Sequence, residues 1–183
     1  MKQFLNLKNK IHNFLPSTKG VAAVEFALIL PLMLLIYLGT VEASRAISYH
    51  SRITSIAAAL GDLVGQTESN LTENQLEDFF EAAQAIIAPY PSDGVQQKVS
   101  NIYVDDEGNT SRIWFYSNGM DENNIELPQN IIDVSTESYV IVSEVRLAYK
   151  PITSYIFPVD INFYQRFYHL PRSGNCIDFE NSC

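Results

Sequence analysis

From Val21 to Leu38 the chain is almost unbroken apolar sequence, interrupted by a single acid, Glu25. A helix over this run is about long enough to cross a bilayer. An ionised acid near the centre of such a helix costs roughly 2.5–3.5 kcal/mol, so a carboxylate kept there calls for a purpose, such as pairing with a positive charge. Glu25 falls about one turn inside the start of the run, which lowers the cost without removing the question. Pro31 lies in the same run, where it leaves the carbonyl of Ala27 without its usual donor. It is read either as a simple kink or as a softened point that helps a subunit leave the bilayer and enter a helical bundle.

Charge sets the orientation. Lys2, Lys8, Lys10 and Lys19 precede the run and no acid appears before Glu25. By the positive-inside rule the amino terminus stays cytoplasmic and the remainder is exported. From Glu42 onward there are 20 acids and 8 bases, a net of -12 within a chain of 183 residues and net charge -9. An acidic domain of this kind is not expected to bind nucleic acid. A cleaved secretory leader fits poorly, because its apolar core is shorter and a small-x-small site follows it; here only Thr40 to Ser44 offers one. An uncleaved signal anchor is the other reading.

Beyond the membrane, Ala46, Tyr49, Ile53, Ile56, Leu60 and Leu63 recur at alternating spacings of three and four, predicting a helix over 43–65 that continues the spanning helix of 21–41. That stripe packs on the chain's own sheet, on helices of other subunits, or partly on both. Gly61 and Gly65 weaken its far end, and a turn follows at 66–70. A second helix is predicted over 73–88. Thr72 is its N-cap, Gln75 completes a capping box, Leu71 and Leu76 form a staple, and Leu76, Phe79, Phe80, Ala83 and Ile87 are its buried stripe. Pro89 and Pro91 end it.

Strands are predicted within 95–170: Val99 to Asp105, a hairpin turn at Asp106 to Asn109, Arg112 to Tyr116, a half-buried strand at 139–150, and a last one between Ile161 and His169. The fold class is therefore α+β: a long N-terminal helix, a short second helix and an antiparallel sheet of about four strands. A polar tail, 171–183, holds both cysteines, Cys176 and Cys183. In an exported, oxidising setting they form a disulfide that staples the tail and not the core, or else stand as two independent thiols. Their spacing matches no zinc pattern, and no metal or cofactor is expected.

The catalytic inventory is poor. His12, His50 and His169 are scattered, with no nucleophile elbow, phosphate loop, dinucleotide fingerprint or His-Glu-x-x-His pair. Asp105 to Asn109 lacks the spacing and closing glutamate of a calcium loop and reads as a solvated hairpin.

The segment Gly20-Val21-Ala22-Ala23-Val24-Glu25-Phe26 resembles the processing site of type IV prepilins, in which a peptidase cuts after glycine and the fifth mature residue is glutamate. Gly20 through Pro31 is most similar to the opening of TadE-like proteins, the minor pseudopilins of the tight-adherence (Flp) pilus system. The resemblance runs to about Arg45 and continues more weakly to about Gly65, over Phe80 to Pro91 and over His169 to Arg172. Main Flp pilins are far shorter and carry Glu-Tyr where this chain has Glu25 and Phe26, which favours the minor type.

The resemblance implies a cytoplasmic leader, 1–20, removed between Gly20 and Val21; a spanning helix, 21–41; and a periplasmic pilin-like α+β domain, 42–183, anchored at the inner membrane. It implies a non-enzymatic role in assembling an attachment pilus. The implied partners are the prepilin peptidase, other minor pseudopilins, the inner-membrane assembly platform and the main Flp pilin. The assembly interface falls to Glu25, Pro31 and the Ala46 to Leu63 stripe. A single-pass periplasmic scaffold or binding protein unrelated to pili is the alternative, with Gly20 and Glu25 then incidental. An anchored enzyme would need a buried, convergent cluster of polar side chains.

Overall fold

A computed structural model describes residues 20–183 apart from 69, 123–124 and 156–160. The expected basic leader, with Lys2, Lys8, Lys10, Lys19 and His12, lies outside the described residues. The chain divides into two compact units, one up to Ser44 and the other Arg45–Cys183.

The described part of the first unit is helical. Helix α1, Val21–Gly65, begins directly after Gly20 and continues through Pro31 without interruption. Its residues from Val21 to Leu38 are all exposed. No part of its most apolar window is buried, and it is the one helix among the described residues long and apolar enough to cross a membrane. Thr40 returns its hydroxyl to the carbonyl of Ile36 at 2.8 Å, so this polar side chain is satisfied within the helix.

The second unit is α+β. Residues of α1 from Arg45 onward are followed by α2, Glu73–Gln84, a 3-10 turn, Ala85–Ile87, strands β1, Val95–Val104, and β2, Thr110–Asn118, a short helix α3, Gln129–Val134, strand β3, Ser138–Tyr149, and strand β4, Ile161–His169. The four strands are antiparallel in the order β2-β1-β3-β4. The start of α2 forms as its sequence dictates: Thr72 Oγ1 accepts from the Gln75 N–H at 3.3 Å, and Gln75 Oε1 accepts from the Thr72 N–H at 3.0 Å. Leu71 and Leu76 are both buried in one core. The regular α-helix stops at Gln84, four residues before the expected end, and Ile87 enters the core from the 3-10 turn instead.

One sheet face carries the main core. Tyr49, Ile53, Ile56, Ala57, Leu60 and Val64 of α1 join Leu76, Phe80 and Ala83 of α2 against Val95, Val99, Ile141, Val145, Leu147 and Tyr149. Ile53, Ile56 and Leu60 are fully buried, each contributing about 1.5–3 kcal/mol from lost apolar exposure.

The opposite face departs from expectation. Strand β3 is buried on both faces from Val140 to Val145, so the half-buried alternation holds only beyond that point. One cause is the β2–β3 connection, a stretch rich in polar residues. It contributes Ile125 and Leu127, which form a second core with Ile102, Val104, Val140 and Val142, packed by Ile131 and Ile132 of α3.

The hairpin turn between β1 and β2 is closed by Asp105. Its carboxylate accepts the N–H groups of Glu107 and Asn109 at 3.0 and 2.7 Å, and Gly108 takes the positive φ of 82° that the turn needs. The Asn109 side chain is the main cause holding the Asp105 carboxyl below its ordinary range.

Candidate functional site

The motif singled out in the sequence occupies the first turns of α1. Gly20 is exposed and the helix starts at Val21. Val21, Glu25, Phe26 and Pro31 are likewise exposed, and no described residue pairs with the Glu25 carboxylate. Val21 and Glu25 stand four residues apart, one above the other on one helix face. Their surroundings are apolar side chains without a covering layer, the arrangement of a helix made for lipid or for other helices.

Farther along α1 the stripe behaves differently. Tyr49, Ile53, Ile56 and Leu60 are brought together inside the second unit's own core. Tyr49 packs against Tyr90 and Tyr149, with ring centres 4.3 and 4.8 Å apart. Ala46 is partly buried, and Leu63 is only half-buried because the stripe steps from Leu60 to Val64, four residues on. Ala57 and Val64 were not expected at the interface. Their small or branched side chains give a weaker periodic signal than the leucines and isoleucines around them.

Gly61 is a close-approach point more than a weak spot in the helix. The His169 ring of β4 and the Ser143 hydroxyl of β3 press against it, and a Cβ added there would lie 2.6 Å from His169 Cε1 and 2.7 Å from Ser143 Oγ. Ser143 donates to the Ala57 carbonyl at 2.7 Å. Just beyond, the Arg172 N–H caps the Gly65 carbonyl at 2.9 Å, and its guanidinium reaches Asp62 at 3.2 Å. Burial pushes the His169 imidazole below its ordinary value against a smaller opposing pull from Asp62.

The tail is built into the core, contrary to its reading as a polar appendage. Cys176 and Cys183 form a disulfide. Between them Ile177 is buried, and its carbonyl accepts Trp114 Nε1–H at 2.6 Å and Asn101 Nδ2–H at 3.2 Å. The Leu71 N–H donates to the Asp178 carbonyl at 2.7 Å. The staple therefore holds a segment that closes the core, and the alternation of Ile177 and Phe179 was the signal available for it.

A buried polar cluster, unexpected from sequence, crosses the other sheet face. Lys98, Glu144 and Arg166 face one another in register on β1, β3 and β4. Glu144 pairs with Lys98 at 2.7 Å and with Arg166 at 2.9 Å, and accepts the Tyr164 hydroxyl. Burial opposes its charge, but the three donors outweigh this and hold its carboxyl below the usual range. Burial and the Glu144 hydrogen bond push the Tyr164 phenol to about 12. Burial alone would lower Arg166, but hydrogen bonds and attraction to Glu144 raise it further. Glu144, Tyr164 and Arg166 are each fixed in their neutral-pH charge state, which suits an ion ladder more than proton transfer. Cavities of 450 and 330 Å³ lie elsewhere, between α2 and β2, and share Glu81, Gln84 and Asn118.

The family model for TadE-like protein matches residues 20–61. This part of the chain is similar to TadE-like proteins. The TadE-like segment covers the whole exposed apolar stretch and the buried stripe as far as Gly61. No curated protein and no solved structure matches the chain. The match is consistent with a protein of the Tad pilus system, and the exposed apolar stretch is consistent with a single-pass membrane protein.

Proposed function

We propose that the protein is a minor pseudopilin that takes part in assembling a tight-adherence (Flp-type) pilus used in surface attachment. It is held in the inner membrane, amino terminus cytoplasmic, with residues 42–183 in the periplasm. The single observation carrying this reading is the TadE-like match at 20–61, which includes the exposed apolar stretch from Val21 to Leu38 with its one acid, Glu25.

Cleavage between Gly20 and Val21 creates an ammonium group at Val21, one helical turn from Glu25. A carboxylate facing that ammonium, on its own helix or a neighbour's, is far less costly in lipid than one alone. The chain is thus a substrate of the prepilin peptidase and a structural subunit, not an enzyme. The buried Lys98–Glu144–Arg166 ladder supports this last point, because Glu144, Tyr164 and Arg166 are held in their neutral-pH charge states and the ladder lines neither cavity. Other minor pseudopilins, the inner-membrane platform and the main Flp pilin are its proposed partners.

The deciding experiment is the amino terminus of the protein recovered from its native cells. A start at Val21 is expected, with a longer band when Gly20 is replaced by a bulky residue. An intact leader in cells with an active peptidase rejects the processing claim.

A further inference from the structure

The two sheet edges differ. The β1–β2 register shifts between Asn101 and Ile102, leaving Ile113 as an extra, bulged residue on edge strand β2. Edge strand β4 pairs with β3 in unbroken register over nine residues, from Ile161 to His169. It contains no proline, glycine or lysine, and no described strand pairs with its outer side. Edges of this length are ordinarily blunted, because their free N–H and C=O groups template the addition of another strand.

Charge distinguishes the same place. From Glu42 onward acids outnumber bases 20 to 8, yet here Lys98 and Arg166 both pair with the one acid Glu144, and Arg146 stands opposite Tyr164 in the β3–β4 register. Arg146 is exposed and makes no ion pair with a described residue. Its guanidinium lies 5.8 Å from the Tyr164 ring centre and that of Arg166 lies 5.6 Å away, while Tyr164 itself is 40% exposed. On the other side of β4, Phe163 and Phe167 are half-buried against the main core.

We propose that the free edge of β4 receives an extended segment of a partner protein that alternates acidic and apolar residues, adding a fifth strand to the sheet. Acidic side chains meet Arg146 and Arg166 on the Tyr164 side, and apolar ones cover Phe163 and Phe167. Main-chain hydrogen bonds supply affinity and the alternation supplies selectivity. A second copy's β4 is a poor occupant, since it brings another arginine to the same basic face. Moreover, α1 runs beside β4 in the same direction, with His50 against Phe163 and Gly61 against His169. Antiparallel pairing of two β4 strands would send their Arg45 ends to opposite sides.

The test uses the full chain in nonionic micelles and three seven-residue probes: a valine–glutamate alternating peptide, its valine–lysine counterpart, and the glutamate peptide N-methylated at alternate residues. The glutamate peptide should bind at least tenfold tighter than either control and slow amide exchange in β4. Arg146→Glu should weaken it tenfold or more and favour the lysine peptide, a reversal that misfolding would not produce. Equal binding of all three peptides, unchanged β4 exchange, or no response to Arg146→Glu would overturn the proposal. So would a photo-crosslinker at Asn162 that joins β4 to a second copy of the chain in cells. None of these outcomes depends on whether the leader is cleaved.

Discussion

The imidazole of His169 rests on the backbone of Gly61, where an added methyl would sit 2.6 Å from its Cε1. The contact joins the last residue of β4 to the end of the TadE-like segment, so helix and sheet are fitted to each other through a missing side chain.

Gly61→Ala should therefore destabilise the protein. Alanine gains up to about 1 kcal/mol in helix propensity, but forcing the His169 ring or Ser143 aside costs typically 1–3 kcal/mol. A net loss of about 1–2 kcal/mol is expected in thermal or denaturant unfolding of the full chain in micelles. Gly39→Ala is the control, since nothing lies within 4 Å of its added methyl. His169→Ala should recover part of the loss, and additive effects of the two changes would contradict direct contact.

Gly61 also shows where the sequence was informative and where it was not. Periodicity located α1 and the buried stripe of α2, and residue identities located the capping box, because each is encoded by neighbouring residues. A glycine's purpose depends on what approaches it, and His169 is far away in the chain, so Gly61 read only as a weak point. The covering of β3 by Ile125 and Leu127 was hidden for a related reason: two apolar residues in a polar stretch have no period to detect. The Lys98–Glu144–Arg166 ladder depends on strand order, which adjacency in sequence does not supply. Gly20, Glu25 and the apolar run needed no tertiary information.

Glu144→Gln should cost about 3–5 kcal/mol at neutral pH, because it leaves Lys98 buried without its counter-charge. The folded carboxyl titrates below its ordinary value of 4.5, so its stabilisation is present above that value and is lost as pH falls through the folded one. Denaturant unfolding should thus show the gap between wild type and variant constant near neutrality and closing in strong acid. A gap independent of pH would contradict the ion-pair account.

His169 gives a second, earlier window. Its folded imidazole titrates below 6.5, so the unfolded chain takes up a proton first and stability declines as pH falls from that value towards the folded one. His169→Gln should flatten this part of the stability profile and leave the Glu144 window in place.

Reduction of Cys176–Cys183, or serine at both positions, should loosen the segment that closes the core. The bond closes a short loop, with a sequence separation of 7, worth about 2–3 kcal/mol by the chain-entropy relation. Trp114 is the only tryptophan and donates to Ile177 within that loop, so its emission should shift to the red on reduction. Unchanged emission and stability would mean that the tail holds its place without the bond.

The two parts of α1 should separate genetically. Ile56 is fully buried in the second unit, and Ile56→Ala should cost about 2–4 kcal/mol, reducing protein abundance before any specific defect in assembly. Glu25 is exposed on the apolar stretch, so Glu25→Ala should leave unfolding of the second unit unchanged while impairing piliation. Thermal unfolding, immunoblotting and filament counts on the same strains distinguish the two. Normal piliation with Glu25→Ala would remove the reason for an acid in lipid. Normal stability with Ile56→Ala would instead return the Ala46 to Leu63 stripe to contacts between subunits, because a side chain supporting its own core cannot be shortened without loss.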